Sequence, residues 1–277
     1  MIMIKTQRVM MKIVLLMTLT MLVTACATSP TGRKQMILIG DQQMNEMGIT
    51  SFQQMKTAQK ISSNLRQRKY VECVSFAIIN ALPDHLQKSQ WEVVLFEDDS
   101  ANAFALPGGK IGVHTGLLKV AETPSQLATV LGHEVAHVLS RHGAERVSIQ
   151  MATQTGLQVA DVVSQQRIEG STGRQMLMTG LGLGAQVGVM LPFSREHEEE
   201  ADRLGLNLMA SAGFDPRQSV QLWKNMANAS SGNRPPEFLS THPEPENRII
   251  KLNRFMDKAL SLEMEAKQRG LNPQCNP

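Results

Sequence analysis

The 277-residue sequence predicts a mainly helical α+β fold, and two patterns indicate it. Long stretches between residues 41 and 268 carry helix caps or interleaved apolar and polar residues, whereas only short stretches near residues 91–114 are rich in strand formers. With 42% hydrophobic and 19% charged residues, the composition is that of a globular protein and excludes wholesale disorder. Three cysteines are too few for a disulfide scaffold or a four-cysteine zinc site.

Residues 1–25 are typical of a lipoprotein signal peptide. A basic start without acids precedes the apolar run Ile13–Ala25, which is shorter than the about 20 residues of a membrane-spanning helix. The run ends in Leu22–Cys26, which resembles the lipobox of bacterial lipoproteins. We therefore expect cleavage before Cys26 and diacylation of its thiol, and Ala27 favours sorting to the outer membrane. The basic residues are Lys5, Arg8 and Lys12.

Two alternatives stand beside the lipid anchor, and the translational start is also open. The cysteine could be incidental in an ordinary cleaved signal, or the segment could be an uncleaved anchor. Met10 and Met11 are alternative starts, because Met11-Lys12 opens a complete, shorter signal.

Removal of residues 1–25 changes how the charge and the cysteines are interpreted. The formal charge of +3 comes from three basic residues in that segment, so the chain from Cys26 has 25 residues of each sign. A neutral chain gives no reason to expect a nucleic-acid partner. Cys73 and Cys275 remain as thiols and are candidates for a disulfide in an oxidising compartment, although the sequence does not show that they are close.

The part of the chain before residue 90 is predicted to be a tether followed by helix. Residues 26–36 are a polar tether, Ile37–Ile39 a short strand, and residues 41–82 mostly helical, since no proline interrupts them. Trp91–Phe96 is rich in strand formers.

Two further strands are predicted at Asn102–Leu106 and Lys110–His114. The Pro107–Gly109 turn between them favours a hairpin.

A well-capped helix follows at Thr123. Thr123 is a good N-cap, Pro124 suits the first helical position, and Gln126 completes a capping box. We expect this helix to continue to residues 140–142, with Gly143 ending it.

The remaining chain is also predicted to be mainly helical. Residues 151–193 are rich in Gly, Met and Ala, and their broken apolar run favours a buried or interfacial helix over a membrane span. Further helices are predicted over Arg195–Ala212, 216–229 and 246–268, with a Pro-rich loop at 231–247.

The strongest functional pattern is the run His133-Glu134-Val135-Ala136-His137 on the first capped helix. Histidines four residues apart lie on one helix face, so both imidazoles can reach one metal ion, and Glu134 can then act as a base. A coincidental polar face is the alternative, but the apolar neighbours indicate a buried helix on which such groups need partners.

A catalytic zinc site needs a third protein ligand, with the fourth position left to water. Composition does not choose among the residues of the next charged helix. They are Glu196, His197, Glu198, Glu199, Glu200 and Asp202.

Four segments together resemble the gluzincin family of membrane-associated metallopeptidases, which includes the CAAX prenyl endopeptidases, HtpX and BepA-like proteases. The segments are Asn102–Gly109 with Thr115–Leu117, His133–His137, Ser194–Asp202, and Thr241–Pro243 followed by Arg248. The resemblance covers roughly residues 90–250 and implies a zincin-type catalytic domain, with a small sheet whose edge strand faces the active-site helix. We expect residues 37–277 to form this single domain.

The resemblance also implies a ligand set of one zinc ion per chain: His133, His137 and Glu198. Asp202 would then orient a zinc-bound imidazole, and His197 is the rival third ligand. Glu199 and Glu200 would point elsewhere, and Glu196 would stay in solvent.

Residues after the second site helix are predicted to complete the site. His242 has two functional interpretations, as donor to the oxyanion or as an additional zinc ligand that closes the site, and an ordinary loop histidine is the alternative. Arg248 would anchor this loop or help to polarise the substrate. The histidines without motif support are expected at the surface or in turns: His85, His114 and His142.

The function expected from the resemblance is zinc-dependent endopeptidase activity on extended or misfolded envelope proteins, at the outer membrane facing the periplasm. Glu134 would be the general base, and the strand residues Asn102, Ala103, Phe104 and Ala105 would bind substrate as an added strand. A non-catalytic assembly factor or chaperone is the alternative. Intramembrane processing of prenylated proteins is disfavoured, because the sequence has no multi-span hydrophobic pattern.

Overall fold

The computed structural model describes residues 26–167, 194–230, 237–242 and 248–276. Among these, residues 26–40 and 143–167 form one compact unit, and the others form a second. The predicted signal peptide 1–25 and residues 168–193 of the Gly- and Met-rich segment lie outside the described residues. The assignment of residues 37–277 to one domain stays a prediction.

The described part of the chain is mainly helical, which confirms the predicted fold class. The strands are β1 (Cys26–Thr28), β2 (Lys34–Met36), β3 (Glu92–Phe96), β4 (Ala103–Leu106) and β5 (Lys110–His114). The helices are α1 (Asp41–Ala58), α2 (Leu65–Asn80), α3 (Asp84–Gln87), α4 (Pro124–Leu139), α5 (His142–Arg167), α6 (Arg195–Ser211), α7 (Gln218–Ser230), α8 (Glu237–Thr241) and α9 (Arg248–Gln268). None of the helices in these residues is long and apolar enough to cross a membrane.

In the first unit, the segment predicted as a polar tether forms an antiparallel hairpin of β1 and β2. Arg33 donates two hydrogen bonds to the Glu145 carboxylate, at 2.9 and 2.7 Å, and Gln35 donates a third at 3.1 Å. The strand predicted at Ile37–Ile39 is wrong, because the strand ends at Met36. The Leu38 N–H donates to the Ser148 hydroxyl at 2.8 Å instead of to a strand.

In the second unit, the sheet has the order β3-β5-β4, with β3 parallel and β4 antiparallel to β5. The hairpin predicted from the Pro107–Gly109 turn is confirmed, with Ala103 opposite Val113. β4 is therefore an edge strand, and α4 packs beside it, as the fold prediction required.

Two helix boundaries differ from the predictions. The helix predicted over residues 41–82 is divided, because residues 60–62 leave it and run beside β3, with the Ser62 N–H donating to the Leu95 carbonyl at 2.8 Å. The helix α4 ends at Leu139, and Gly143 lies inside α5 instead of ending α4. The reversal falls on Arg141, whose φ of 55° is in the left-handed region that a sequence pattern assigns to glycine.

The helix α4 is the centre of the second unit. Its cap is as predicted, with Thr123 Oγ1 accepting from the Gln126 N–H at 3.2 Å. Leu127, Leu131 and Val135 are fully buried in a core shared with α2, α6 and α7. Burial of each such side chain stabilises the fold by about 1.5–3 kcal/mol, so the helix that carries the histidines is firmly held.

The helices α4 and α6 run antiparallel and cross at two glycines. A Cβ on Gly205 would lie 2.7 Å from the His133 backbone nitrogen, and one on Gly132 would lie 2.8 Å from the Gly205 carbonyl oxygen. Only glycine at both positions allows the backbones to approach this closely. The register then places His133 against Asp202 and His137 against Glu198.

The C-terminal segment after α9 is tied back to the core. The Sγ atoms of Cys73 in α2 and Cys275 are bonded, with their Cα atoms 5.7 Å apart. The structure thus forms the pair that the sequence left open, and the bond closes a loop of 202 residues.

We predict that Gly205→Ala destabilises the protein, because its methyl group enters the α4–α6 crossing. The cost is about 1–3 kcal/mol, which is typical of overpacking. Gly156→Ala in α5 is the matched control, since a Cβ there meets nothing within 4 Å and the better helix propensity adds about 0.5–1 kcal/mol. Thermal unfolding of both variants checks this; equal melting temperatures would contradict it.

Candidate metal centre

Three donor groups from α4 and α6 converge at the buried helix crossing. The Nε2 atoms of His133 and His137 lie 3.0 Å apart. The Glu198 carboxylate oxygens lie 3.4 Å from the first and 3.5 Å from the second. Glu198 is fully buried. A charged group in such a place needs positive or hydrogen-bonding partners.

A fourth donor comes from His242, directly after α8. Its Nδ1 lies 3.0 Å from Glu198 Oε1 and 3.3 Å from His133 Nε2. All four donor atoms lie within 4.8 Å of one another. Donors about 2.0–2.1 Å from a tetrahedral zinc ion are about 3.3 Å apart, so the measured separations of 3.0–3.5 Å fit such an ion.

The chemistry of the donors also favours a cation. His133 Nδ1 bonds to Asp202 at 2.9 Å and His137 Nδ1 bonds to His142 at 2.8 Å, which leaves the two Nε2 atoms facing each other. Two imidazole lone pairs at this distance repel, and a shared positive charge removes the repulsion.

Buried carboxylates set the protonation of the centre. Burial would lower the pKa of His133, but Asp202 and Glu198 outweigh it and raise the pKa to about 9. Burial opposes ionisation of Glu198, yet hydrogen bonds from the site histidines lower its pKa far below the usual range. Burial lowers the pKa of His137 well below its ordinary value. The surroundings therefore favour one positive charge among these donors.

Arg248 holds the two acids of α6 in place. Its guanidinium donates to Asp202 Oδ1 and lies 3.4 Å from Glu198 Oε2. It also stacks 3.6 Å from the centre of the Trp223 ring and is almost completely buried. The roles predicted for Arg248, anchoring the loop of His242 or helping to polarise the substrate, stay predictions.

Glu134 lies beside the donors without belonging to them. Burial raises the pKa of its carboxyl group, and the charges of His242 and His133 offset part of this effect. The backbone N–H of Ala105 in the edge strand β4 also lowers this pKa slightly, which indicates that the carboxylate is close to the strand. His242 Nε2 lies 3.3 Å from Glu134 Oε1. A carboxylate thus lies near both the donors and the sheet edge.

The structure places the other acidic candidates of α6 outside the donor cluster. Glu196 is exposed, as predicted, and Glu199 forms an ion pair with Lys251. His197 stacks on His142, with ring centroids 4.2 Å apart, and is not among the four donors.

Two histidines expected at the surface or in turns are buried, so those predictions are wrong. His142 is completely buried and bonds to His137 and to Glu200. His114 is 5% exposed, and its Nδ1 bonds to the Ser100 hydroxyl at 2.7 Å. His85 is exposed, as expected. His142 lies five residues after His137, beyond the turn at Arg141 that ends the helix. The i, i+4 pattern of a helix therefore did not predict that the two side chains meet.

Two histidines and a glutamate around one point, with a separate carboxylate beside them, are typical of zinc metallopeptidases. A model of peptidase family M48 matches residues 65–255. Since the match covers more than half of the sequence, the chain belongs to peptidase family M48, which confirms the resemblance noted from the motifs.

Several curated proteins are similar to the chain. It is 34% identical to the mitochondrial metalloendopeptidase OMA1 of Arabidopsis thaliana over 197 residues, which are 69% of this chain and 38% of the relative. It is 37% identical to the OMA1 of Schizosaccharomyces pombe over 172 residues, or 61% and 48% of the two chains. It is 29% identical to the beta-barrel assembly-enhancing protease of Escherichia coli K12 over 206 residues, or 74% and 42%. The matched region thus spans half or less of these relatives.

Replacement of Glu198 by glutamine is expected to remove most of the bound zinc, because the amide lacks the charge that balances the cation. Glu199→Gln, one residue along the same helix, is the matched control and keeps one ion per chain. Elemental analysis of the purified variants measures this. Zinc retained by Glu198→Gln but lost by His197→Asn would instead make His197 the third ligand.

Proposed function

We propose that the chain binds one zinc ion through His133, His137 and Glu198 and hydrolyses peptide bonds. The observation that carries the proposal is the position of the buried Glu134 carboxylate, which lies 3.3 Å from His242 of the donor cluster and is not itself one of the four donors. A bound zinc ion supplies a Lewis acid that polarises a carbonyl and lowers the pKa of water to about 7.

Glu134 is the proposed general base. Burial raises the pKa of its carboxyl group, which brings its basicity closer to that needed for proton transfer near neutral pH. The carboxylate takes a proton from the attacking water and then delivers it to the leaving amine. Because it is not one of the donors, its lone pairs remain available for this transfer.

The edge strand β4 is the proposed substrate platform. The His114 N–H donates to the Asn102 carbonyl at 3.0 Å, and the alternation of an antiparallel ladder then turns the backbone groups of Ala103 and Ala105 toward the open edge. No strand pairs with this edge among the residues that the structure describes. An extended peptide added there would lie next to Glu134, whose carboxylate is close to Ala105.

In this proposal His242 has both of its predicted roles, first as an additional ligand and then as donor to the oxyanion. In the described arrangement its Nδ1 is the fourth donor and its Nε2 faces Glu134. Water and substrate need that position, so the side chain must withdraw before hydrolysis. After a small displacement the same imidazole can donate to the oxyanion.

The proposed substrates are extended or misassembled proteins of the cell envelope, as part of periplasmic quality control. Backbone recognition through a strand edge suits unfolded segments of varied sequence. One relative is named beta-barrel assembly-enhancing protease, which supports a role in the assembly of envelope proteins. A non-catalytic assembly factor is the alternative, and the intact Glu134 position disfavours it.

The chain is further proposed to be anchored by lipid at Cys26, on the periplasmic face of the outer membrane. The support is the Leu22–Cys26 lipobox. We expect radiolabelled palmitate to be incorporated in wild-type cells and not in a Cys26→Ser variant. Cys73→Ser is the matched control and keeps the label; equal labelling without Cys26 would contradict the anchor.

Glu134→Gln is expected to lower the rate of peptide hydrolysis by about 10²–10⁴-fold, with zinc content unchanged. The reason is that the amide accepts no proton. Cleavage of a fluorogenic unfolded protein such as casein measures the effect. The control is Glu122→Gln, which alters an exposed acid just before α4 and leaves the rate unchanged.

Hydrolysis by Glu134→Gln at the wild-type rate would contradict the assignment of the base. Complementation of a deletion strain separates the two functions, since rescue by this variant would favour binding without cleavage.

A further inference from the structure

The two histidines of α4 are supported in different ways on their outer sides. His133 Nδ1 reaches a carboxylate directly, at 2.9 Å from Asp202 Oδ1. His137 Nδ1 instead meets another imidazole, with His142 Nδ1 at 2.8 Å. The far nitrogen of that ring, His142 Nε2, lies 3.1 Å from Glu200 Oε2.

We propose that His142 and Glu200 form a positioning relay that fixes the tautomer and the orientation of His137 toward the metal ion. The inference rests on the proposed function, because it takes His137 as a ligand. Neither residue belongs to the HExxH pattern, and neither touches the position of the ion or of a substrate. Their effect on the ion passes through His137.

The direction of the hydrogen bonds follows from the role of His137. A nitrogen that binds a cation presents a lone pair, so Nε2 of His137 is unprotonated and its single proton is on Nδ1. That N–H donates to His142 Nδ1. The proton of His142 is therefore on Nε2, and it donates to the Glu200 carboxylate. Every bond has one donor and one acceptor, and the chain ends on an anion.

A carboxylate at the end of the relay selects this tautomer. If His142 carried its proton on Nδ1 instead, two N–H groups would meet at 2.8 Å and Glu200 would lose its donor. Such a clash of donors in a buried place costs as much as an unsatisfied polar group. The relay thus keeps the lone pair of His137 Nε2 directed at Glu198 and His133.

Burial and packing make the relay rigid. The side chains of His142 and Glu200 are at most 3% exposed. The imidazole of His142 lies between two other rings, with centroids 4.2 Å from His197 and 4.9 Å from His137. The ring is thus stacked on one face by His197 and meets His137 edge to face, so the bond to His137 keeps its geometry.

The local backbone explains why a relay is used on this side. His137 is two residues before the end of α4, and the left-handed residue Arg141 returns the chain so that His142 faces it. Glu200 stands on α6 two residues after Glu198, and so on a different face. The imidazole of His142 bridges the gap between that face and His137.

The test measures the zinc affinity of the full chain after removal of metal, by competition with a chelating dye. His142→Leu keeps similar volume but removes the acceptor, and we expect affinity to fall about 10–100-fold, the usual effect of losing an outer partner. His142→Asn, whose Oδ1 can take the place of Nδ1, should recover most of this loss. Glu200→Gln should weaken binding less than His142→Leu.

Non-additivity is the decisive signature of a relay. Because the relay carries the effect of Glu200 on the ion through His142, Glu200→Gln should change affinity little further when His142 is already leucine. The visible absorption band of the Co(II)-loaded protein should also change in His142→Leu, since the ligand ring reorients. His114→Leu is the matched control, a buried histidine outside the donor cluster whose loss should leave affinity and spectrum unchanged.

Wild-type affinity in folded His142→Leu, or additive losses in the double variant, would overturn the relay. If His142→Leu does not fold, Glu200→Ala takes its place in the test. Lowered zinc affinity in folded Glu200→Ala supports the relay, and wild-type affinity overturns it. Absence of zinc binding by the wild-type chain would instead refute the proposed function.

Discussion

The close crossing of α4 and α6 at Gly132 and Gly205 determines most of what the centre can do. Without Cβ atoms at that point, the helix backbones approach until a carbonyl oxygen of one lies against the other. The antiparallel register then pairs successive positions, His133 with Asp202 and His137 with Glu198. Donor spacing is thus set by backbone contact within a buried core, which leaves the side chains few alternative positions.

This crossing also concentrates acidic groups in a buried place. Glu134, Glu198 and Asp202 are all nearly buried, and Arg248 is a cation held among them. The pKa of His133 is raised because Asp202 and Glu198 stabilise a positive charge at this position. A divalent cation supplies that charge and removes the repulsion between the Nε2 atoms. The same electrostatics that make the cluster costly in isolation therefore select a metal-bound form.

Much of this was predictable from local sequence, and the failures have physical causes. The cap of α4 and the position of His133 and His137 on one helix face depend on nearby residues, so the sequence predicted both of these local features. Glu198 needed the family resemblance, because four acids share its helix and only the crossing selects one. The contact of His142 with His137 was not predicted, because Arg141 adopts a left-handed conformation that pattern rules reserve for glycine. Glu200 was expected to point away from the site, and its contact with His142 depends on that same turn. The strand predicted at Ile37–Ile39 does not form, because the Leu38 N–H donates to the Ser148 hydroxyl in a tertiary hydrogen bond.

The central claim is that the α4–α6 crossing builds one tetrahedral zinc site from nitrogen and oxygen donors. X-ray absorption spectroscopy at the zinc edge of the loaded full-length chain tests it most directly. The account predicts four nitrogen or oxygen neighbours at about 2.0–2.1 Å, with the outer-shell scattering of at least two imidazoles. A sulfur neighbour at about 2.3 Å, or a shell of oxygens without imidazole scattering, would contradict it.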